Sequence, residues 1–174
     1  MEASLEMVAE IQNLCVKRRK ELVVYISMGF GNPYGDAYNE SIVWEWVDKM
    51  VQLGIGTVAV ADTVGLATAQ QVGTILSSLI PAYPNTVFGV HLHATADNWE
   101  PKMAAALAAG CQRFDGALKG VGGCPMAGNT LVGNMDTARM IPYLKQLHLL
   151  KGIDEAALSA ATSIADELFV QLNH

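Results

Sequence analysis

Val87-Phe-Gly-Val-His-Leu-His-Ala94 is the stretch of sequence that decides the fold. It is a short apolar run that ends in two histidines, which predicts a buried β-strand over 86–93. Three similar runs lie at 22–28, 57–61 and 113–118. The chain is therefore expected to contain four short strands.

Helical patterns occupy the segments between these strands. Apolar residues recur at helical spacing over 3–18 and 41–53. Thr68 and Gln71 form a capping-box pattern that opens a helix to about residue 80, and Asp97-Asn-Trp-Glu100 can cap the next helix, which ends at Gly110. Two more helices are predicted at 136–147 and, capped by Asp154, up to about residue 172. Strands that alternate with helices predict an α/β fold with a parallel sheet and right-handed crossovers.

Polar residues follow the strands at their carboxyl ends. They are Asn32, Asp62, His91, His93, Cys124 and Asn134. The carboxyl ends of parallel strands form the edge at which α/β proteins carry out their chemistry. We therefore expect these side chains to gather at one edge of the sheet.

His91 and His93 are the strongest candidates for metal ligands. Residues i and i+2 of a strand face the same side, so both imidazoles can bind one divalent ion. The alternative is a pair of rim histidines that hydrogen-bond to carbonyl groups. His148 and His174 lie outside this pattern and are expected to be solvated.

Cys124 lies in the glycine-rich loop Gly120-Val-Gly-Gly-Cys-Pro-Met-Ala-Gly-Asn-Thr-Leu-Val-Gly-Asn134. A loop cysteine between a glycine and a proline can be approached by a substrate and can exchange a proton if its pKa is lowered. The alternative is a cysteine without a chemical role, as is usual for free thiols. Cys15 and Cys111 are expected to be packing residues.

Asn134 and Asp62 each have two interpretations. Asn134 can offer a neutral oxygen to Mg²⁺ or Mn²⁺, or it can be the N-cap of the helix that follows. Asp62 can position a group in an active site, or it can accept hydrogen bonds from backbone amides of its turn.

Composition limits the classes of partner. The net charge of −6 and the lack of a basic run argue against nucleic acid. Small cationic spots remain for an anionic ligand, at Arg18, Arg19 and Lys20 or at Lys102, Arg113 and Lys119. The sequence contains no apolar stretch of the roughly 18 residues that a membrane span needs, and its three cysteines fit a reducing compartment. We therefore expect a cytoplasmic protein. We also expect a single domain over 1–174.

The quoted segments resemble 3-hydroxy-3-methylglutaryl-CoA lyase, a family within the TIM-barrel metallolyases that also include isopropylmalate and homocitrate synthases. The resemblance runs from about residue 4 to about residue 150. It rests on Tyr25-Ile-Ser-Met with Gly31-Asn-Pro-Tyr, Ala61-Asp-Thr-Val-Gly65, Val90-His-Leu-His93, Phe114-Asp115, Gly122-Gly-Cys-Pro125 and Gly133-Asn134. The Gly-Gly-Cys-Pro element is specific to the lyase, which argues against a synthase that condenses an acyl-CoA with a keto acid.

The resemblance implies the roles of the site residues. His91, His93 and Asn134 would bind Mg²⁺ or Mn²⁺, Cys124 would be the catalytic cysteine of a loop over the site, and Asp62 a supporting carboxylate. The implied reaction is cleavage of an acyl-CoA substrate, 3-hydroxy-3-methylglutaryl-CoA, to acetyl-CoA and acetoacetate, with Cys124 and His91 assisting proton transfer.

The resemblance also implies that the chain corresponds to half of a TIM barrel, namely its fifth to eighth strands. The Arg-Asp pair that the family carries on its first strand has no counterpart in the sequence. We therefore expect little activity from this chain alone, either because it needs a separate N-terminal half-barrel or because it is a non-catalytic half-barrel. Four strands leave two open sheet edges, which predicts self-association.

Overall fold

Four parallel strands form the sheet of this protein. The computed structural model describes residues 2–123 and 132–169. The strands in these ranges are β1 (Val23–Ile26), β2 (Thr57–Ala61), β3 (Val87–His91) and β4 (Arg113–Asp115), and they pair in the order β1-β2-β3-β4. The predicted α/β class with four parallel strands is confirmed.

The helices of the described residues connect and follow the strands: α1 (Glu2–Lys17), α2 (Glu40–Gln52), α3 (Ala69–Ala82), α4 (Trp99–Ala108), α5 (Thr137–Gln146) and α6 (Glu155–Phe169). The capping box of α3 is confirmed, since the side chains of Thr68 and Gln71 bond reciprocally to the backbone. Asp154 also caps α6, because its carboxylate accepts a hydrogen bond from the amide of Ala157 at 2.9 Å.

Two predictions about these elements are wrong. The stretch from Asp97 supplies no side-chain cap to α4; Asn98 stands at the N-cap, and its side chain accepts instead from the amide of Thr95. The fourth strand ends at Asp115 rather than near residue 118, and a 3-10 helix follows at Leu118–Gly120. The chain leaves the neighbouring β3 here because the amide of Ala117 bonds to the carbonyl of Met135, which belongs to a returning segment.

The two faces of the sheet differ in chemistry. The outer face is apolar and buried beneath α2, α3 and α4, which close the core with Val43, Val47, Met50, Val72, Ile75, Leu76, Leu79, Met103 and Ala106. Because side chains alternate along a strand, the other residues form an inner face. Most of these are small or polar, and Tyr25 among them keeps 42% of its surface exposed.

The sheet has open edges at β1 and β4, since each of these strands has one neighbour among the described residues. The inner face and the carboxyl ends of the strands together form the surface on which the candidate site lies. Within the described part of the chain, none of the helices has the length and apolar character needed to span a membrane.

Candidate active site

His91 and His93 stand together at the carboxyl end of β3. Their ring centroids are 5.4 Å apart, and the ring planes meet at 70°. His91 is half-buried, whereas His93 is 4% exposed. The strand geometry therefore places two imidazoles side by side, as the i, i+2 spacing predicted.

His93 has the properties of a neutral ligand. Burial lowers its pKa below the usual value, and His91 lowers it further, while Asp62 and the backbone of Val132 act in the opposite direction. Its Nδ1 atom is buried and has no hydrogen-bond partner among the described residues. A buried polar atom without a partner costs free energy, so a bound cation would satisfy this nitrogen.

Asn134 is the residue that pairs with His93. The two form an antiparallel bridge, and the amide of Ala94 donates to the carbonyl of Gly133 at 2.9 Å. The Asn134 side-chain nitrogen donates to the carbonyl of Val121 at 2.9 Å, so its amide oxygen is the atom that a cation could use. The alternative interpretation of Asn134 as a helix N-cap is wrong, because Asp136 caps α5 by accepting from the amide of Ala138.

Two positions that contact the Asn134 segment, Gly120 and Gly133, require glycine because two backbone segments lie close together there. A Cβ atom at Gly133 would lie 2.7 Å from the carbonyl oxygen of Gly120, and one at Gly120 would lie 2.7 Å from that of Asn134. Gly120 also has a φ of +65°, in the left-handed region that glycine occupies without strain. The two glycines therefore allow the segments that carry them to pack backbone against backbone.

One cavity of about 560 Å³ joins the histidines and the asparagine. Its lining consists of Tyr25, Ser27, Ala61, Thr63, His91, His93, Asp115, Gly123 and Asn134. The three residues predicted as metal ligands thus share one space at the predicted edge of the sheet. Within the described ranges, no group of three or more His, Cys, Asp or Glu side chains is placed to hold a metal, so among these residues Asn134 is the candidate for the third ligand.

Asp62 lies outside this lining, and the structure places it differently from a catalytic carboxylate. Its side chain is 1% exposed and forms an ion pair with Lys102, with 3.3 Å between the carboxylate and the ammonium. Its other carboxylate oxygen accepts from the amide of Ala67 at 3.1 Å. The alternative interpretation, that Asp62 bonds to its own turn, therefore matches the geometry.

The prediction that Lys102, Arg113 and Lys119 form a cationic spot for an anionic ligand is wrong. Each of these side chains already pairs with an acidic residue of the chain. Lys102 is buried against Asp62, Arg113 pairs with Asp115, and Lys119 pairs with Asp166 at 2.7 Å. Arg18, Arg19 and Lys20, by contrast, lie exposed in the turn after α1.

A polar cluster on the inner face was missed by sequence reasoning. The hydroxyl of Tyr25 donates to Asp115 at 2.7 Å, and the guanidinium of Arg113 donates to the Tyr25 oxygen at 3.1 Å. The ring of Tyr25 also meets that of His91 edge to face, with 6.2 Å between centroids. The i, i+2 spacing of Arg113 and Asp115 is the sequence signal that could have indicated this cluster.

Cys15, Cys111 and His148 belong to the described residues and do not line the cavity. Cys124, the candidate catalytic cysteine, and His174 lie outside the described ranges. Cys111 is buried, as expected of a packing residue, and burial raises the pKa of its thiol to about 11. His148 is exposed in the turn after α5, which confirms that it does not belong to the site.

Comparison with known proteins identifies relatives along nearly the whole chain. The family model described as HMGL-like matches residues 1–164. The chain is 30% identical over 166 residues to hydroxymethylglutaryl-CoA lyase YngG of Bacillus subtilis, covering 95% of this chain and 55% of that protein. It is 32% identical over 147 residues to (R)-citramalyl-CoA lyase of Chloroflexus aurantiacus, covering 83% of this chain and 46% of that one.

A solved structure of an HMG-CoA lyase from Acinetobacter baumannii, in complex with coenzyme A and 3-methylmalate, superposes with a TM-score of 0.83 at 27% identity. The match covers 97% of this chain and 54% of that one. The chain thus spans about half the length of the relatives that it matches. The expectation that its four strands correspond to half of the lyase TIM barrel is confirmed.

Proposed function

The chain belongs to the HMGL-like family, and we propose that it forms the metal-binding half of the active site of a carbon–carbon lyase. The observation that carries this proposal is the shared cavity of His91, His93 and Asn134. The buried Nδ1 of His93 lacks a partner among the described residues, as expected of a nitrogen that serves a cation.

The proposed cofactor is Mg²⁺ or Mn²⁺, held by His91, His93 and Asn134. The neutral amide oxygen of Asn134 suits both ions, and the lowered pKa of His93 keeps its imidazole available as a ligand. When bound, the metal would supply a Lewis acid that polarises oxygen atoms of the substrate. These three ligands are neutral, so a carboxylate from a second half-barrel would strengthen the site.

The proposed reaction converts 3-hydroxy-3-methylglutaryl-CoA to acetyl-CoA and acetoacetate. A base takes the proton of the substrate hydroxyl, the adjacent carbon–carbon bond breaks, and the bond electrons pass to the acetyl-CoA enolate. One proton then returns to the enolate carbon, so that the reaction is balanced without water. His91, which lines the cavity, and Cys124 are our candidates for these proton transfers.

The proposed role of Asp62 is indirect. Its carboxylate faces Lys102 and the amide of Ala67, so it stands away from any substrate that occupies the cavity. We assign it to the support of the site rather than to contact with the reacting atoms.

A second candidate substrate is another 3-hydroxyacyl-CoA of the citramalyl-CoA type. The 32% identity to (R)-citramalyl-CoA lyase favours it, because this value is similar to the identity with the hydroxymethylglutaryl-CoA lyase. Both substrates pair an acyl-CoA with a tertiary hydroxyl group, so the same metal chemistry would serve either. The rate of acetyl-CoA release from each compound would separate them.

The proposed partner is a second half-barrel, either another copy of this chain or a separate N-terminal half, in the cytoplasm. A complete barrel has eight strands, and the sheet described here has four with open edges at β1 and β4. Closure would cover the polar inner face and enclose the cavity. It would also remove the exposed strand edges.

The deciding experiment is an assay of acetoacetate release with Mg²⁺ or Mn²⁺, on this chain alone and after addition of the N-terminal half of the Bacillus subtilis lyase. We expect activity only in the reconstituted sample, and its loss by about 100-fold or more in His93→Ala, because even the outer-shell partners of a metal ligand contribute about 10- to 100-fold. His148→Ala is the matched control, because this histidine is exposed and does not line the cavity. Equal activity of the His93→Ala and wild-type samples would refute the proposal, and a failure to reconstitute would favour a non-catalytic half-barrel.

A further inference from the structure

Lys102 is an unusual residue, because its charged side chain lies in the core. The side chain is 3% exposed and that of its partner Asp62 is 1% exposed. Burial of a charge is costly unless the group is paired and hydrogen-bonded, so the two residues must be considered together. Lys102 lies on α4, far from Asp62 in the sequence. The fold therefore brings the two side chains together.

The ammonium of Lys102 joins three segments. It donates to the backbone carbonyl of His93 at 2.7 Å and to the carboxylate of Asp62 at 3.3 Å. Asp62 in turn accepts from the amide of Ala67, at the end of the loop that follows β2. Helix α4, the turn after β2 and the end of β3 are thus tied to one buried charge pair.

His93 depends on contacts of this kind because it lies beyond the last paired residue of β3. The β3 ladder ends at His91, which pairs with Ala61 on one side and with Asp115 on the other. Beyond it, His93 is held by its bridge to Asn134 and by the hydrogen bond from Lys102 to its carbonyl oxygen. Loss of the second contact would remove one of the two backbone attachments of the residue that carries the imidazole.

We infer that Lys102 is a positioning residue of the candidate metal site and that Asp62 acts as its counter-ion. The ammonium fixes the backbone of His93, and this fixes the place of the imidazole beside His91 and Asn134. The inference rests on the proposed function where it concerns the metal, but the position of the His93 ring can be measured in the metal-free protein.

The test compares the wild-type chain with the double variant Asp62→Asn/Lys102→Met. Removal of both charges avoids the unpaired buried carboxylate that Lys102→Met alone would leave, and the introduced asparagine side chain can still accept from the amide of Ala67. Lys49→Met is the matched control, because Lys49 also pairs with an acidic residue but lies on the exposed side of α2.

Two measurements are made on each protein. One is the affinity for Mn²⁺, from the electron paramagnetic resonance signal of the free ion. The other is the nuclear Overhauser effect between the ring protons of His91 and His93 without metal, which the 5.4 Å spacing of the rings should produce. We expect the double variant to bind Mn²⁺ about 10- to 100-fold more weakly and to lose this cross-peak, as for other residues that orient a metal ligand.

Each outcome decides a separate question. Wild-type affinity together with an unchanged cross-peak in the double variant would overturn the inference. If the wild-type chain does not bind Mn²⁺, the proposed metal site fails, and the cross-peak still decides the positioning: its loss supports the inference, and its retention overturns it. Lys49→Met must match the wild type in both measurements, or the effect does not belong to the buried pair.

Discussion

Gly89 shows how one residue shapes the inner face of the sheet. A Cβ atom at this position would lie 2.9 to 3.0 Å from the Cδ, Cβ and Cγ atoms of Arg113. The arginine therefore crosses β3 in the space that a side chain would fill, and its guanidinium reaches Tyr25 on β1. A glycine in the middle of a strand often marks such a close approach.

We predict that Gly89→Ala displaces Arg113 and destabilises the protein by about 1–3 kcal/mol, the usual cost of overpacking. The free energy of unfolding in urea would measure this. Gly73→Ala is the control: its Cβ would meet Ala105 at an ordinary 3.8 Å, so in helix α3 it should be neutral or stabilising. Equal stability of Gly89→Ala and the wild type would contradict the prediction.

The buried thiol of Cys111 makes the free energy of unfolding depend on pH in the alkaline range. Burial raises the pKa of its thiol from 9.0 to about 11, so the folded protein retains this proton when the unfolded chain has lost it. Stability is therefore complete below pH 9 and falls as the pH rises towards 11, by about 2–3 kcal/mol for this group.

The measurement is the free energy of unfolding at about pH 7.5 and about pH 10.5, on either side of the unfolded thiol's pKa. The loss between these values should be smaller in Cys111→Ala than in the wild type, and Cys15→Ala serves as the control for a half-exposed thiol. An equal loss in all three proteins would assign the alkaline destabilisation to other groups.

At the scale of elements, the strands and helices could be predicted from their periodicity, and the details that depend on distant partners could not. The alternation of apolar runs and helical patterns predicts the order of the elements. The capping box of α3 is also predictable, because it is a local motif. The early end of β4 depends on Met135, which lies well beyond the strand in the sequence. The burial of Lys102 was equally hidden, because one lysine in a helix normally faces solvent.

Asp136 links the segment beside the candidate site to helix α5. Its carboxylate accepts from the amides of Ala138 and of Lys119, both at 2.9 Å, and so joins the start of α5 to the 3-10 helix after β4. We predict that Asp136→Ala lowers the free energy of unfolding by about 1–2 kcal/mol, because the cap and the bond to Lys119 are both lost.

Asp136→Asn is the matched control, since its side-chain oxygen can still accept both hydrogen bonds. Chemical denaturation of the two variants should therefore place Asp136→Asn close to the wild type and Asp136→Ala below it. Equal losses would mean that the charge, rather than the hydrogen bonds, stabilises this junction.

At the scale of the whole molecule, the open inner face predicts association. The chain has a mass of 18.6 kDa, and pairing of two copies at their edges would double it and could close an eight-stranded barrel. Light scattering after gel filtration should report the mass of a dimer. A monomer with a dispersed NMR spectrum would contradict this expectation.

Val87→Lys tests whether the inner face is the contact surface. Val87 is 43% exposed at the start of β3 on that face, so a lysine there is tolerated by the monomer but is desolvated in a closed barrel. We predict a shift to the monomer mass with unchanged circular dichroism. Leu149→Lys, at a residue 60% exposed after α5, should leave the mass unchanged.

The open inner face also has a calorimetric consequence. The heat capacity of unfolding reports the apolar surface that folding removes from water, about 12–15 cal/mol/K per residue in ordinary domains. A monomer that leaves the apolar side chains of this face, Tyr25 and Val87, about half exposed to water should fall below this range. A closed pair of chains should return to it, with a melting temperature that rises with protein concentration.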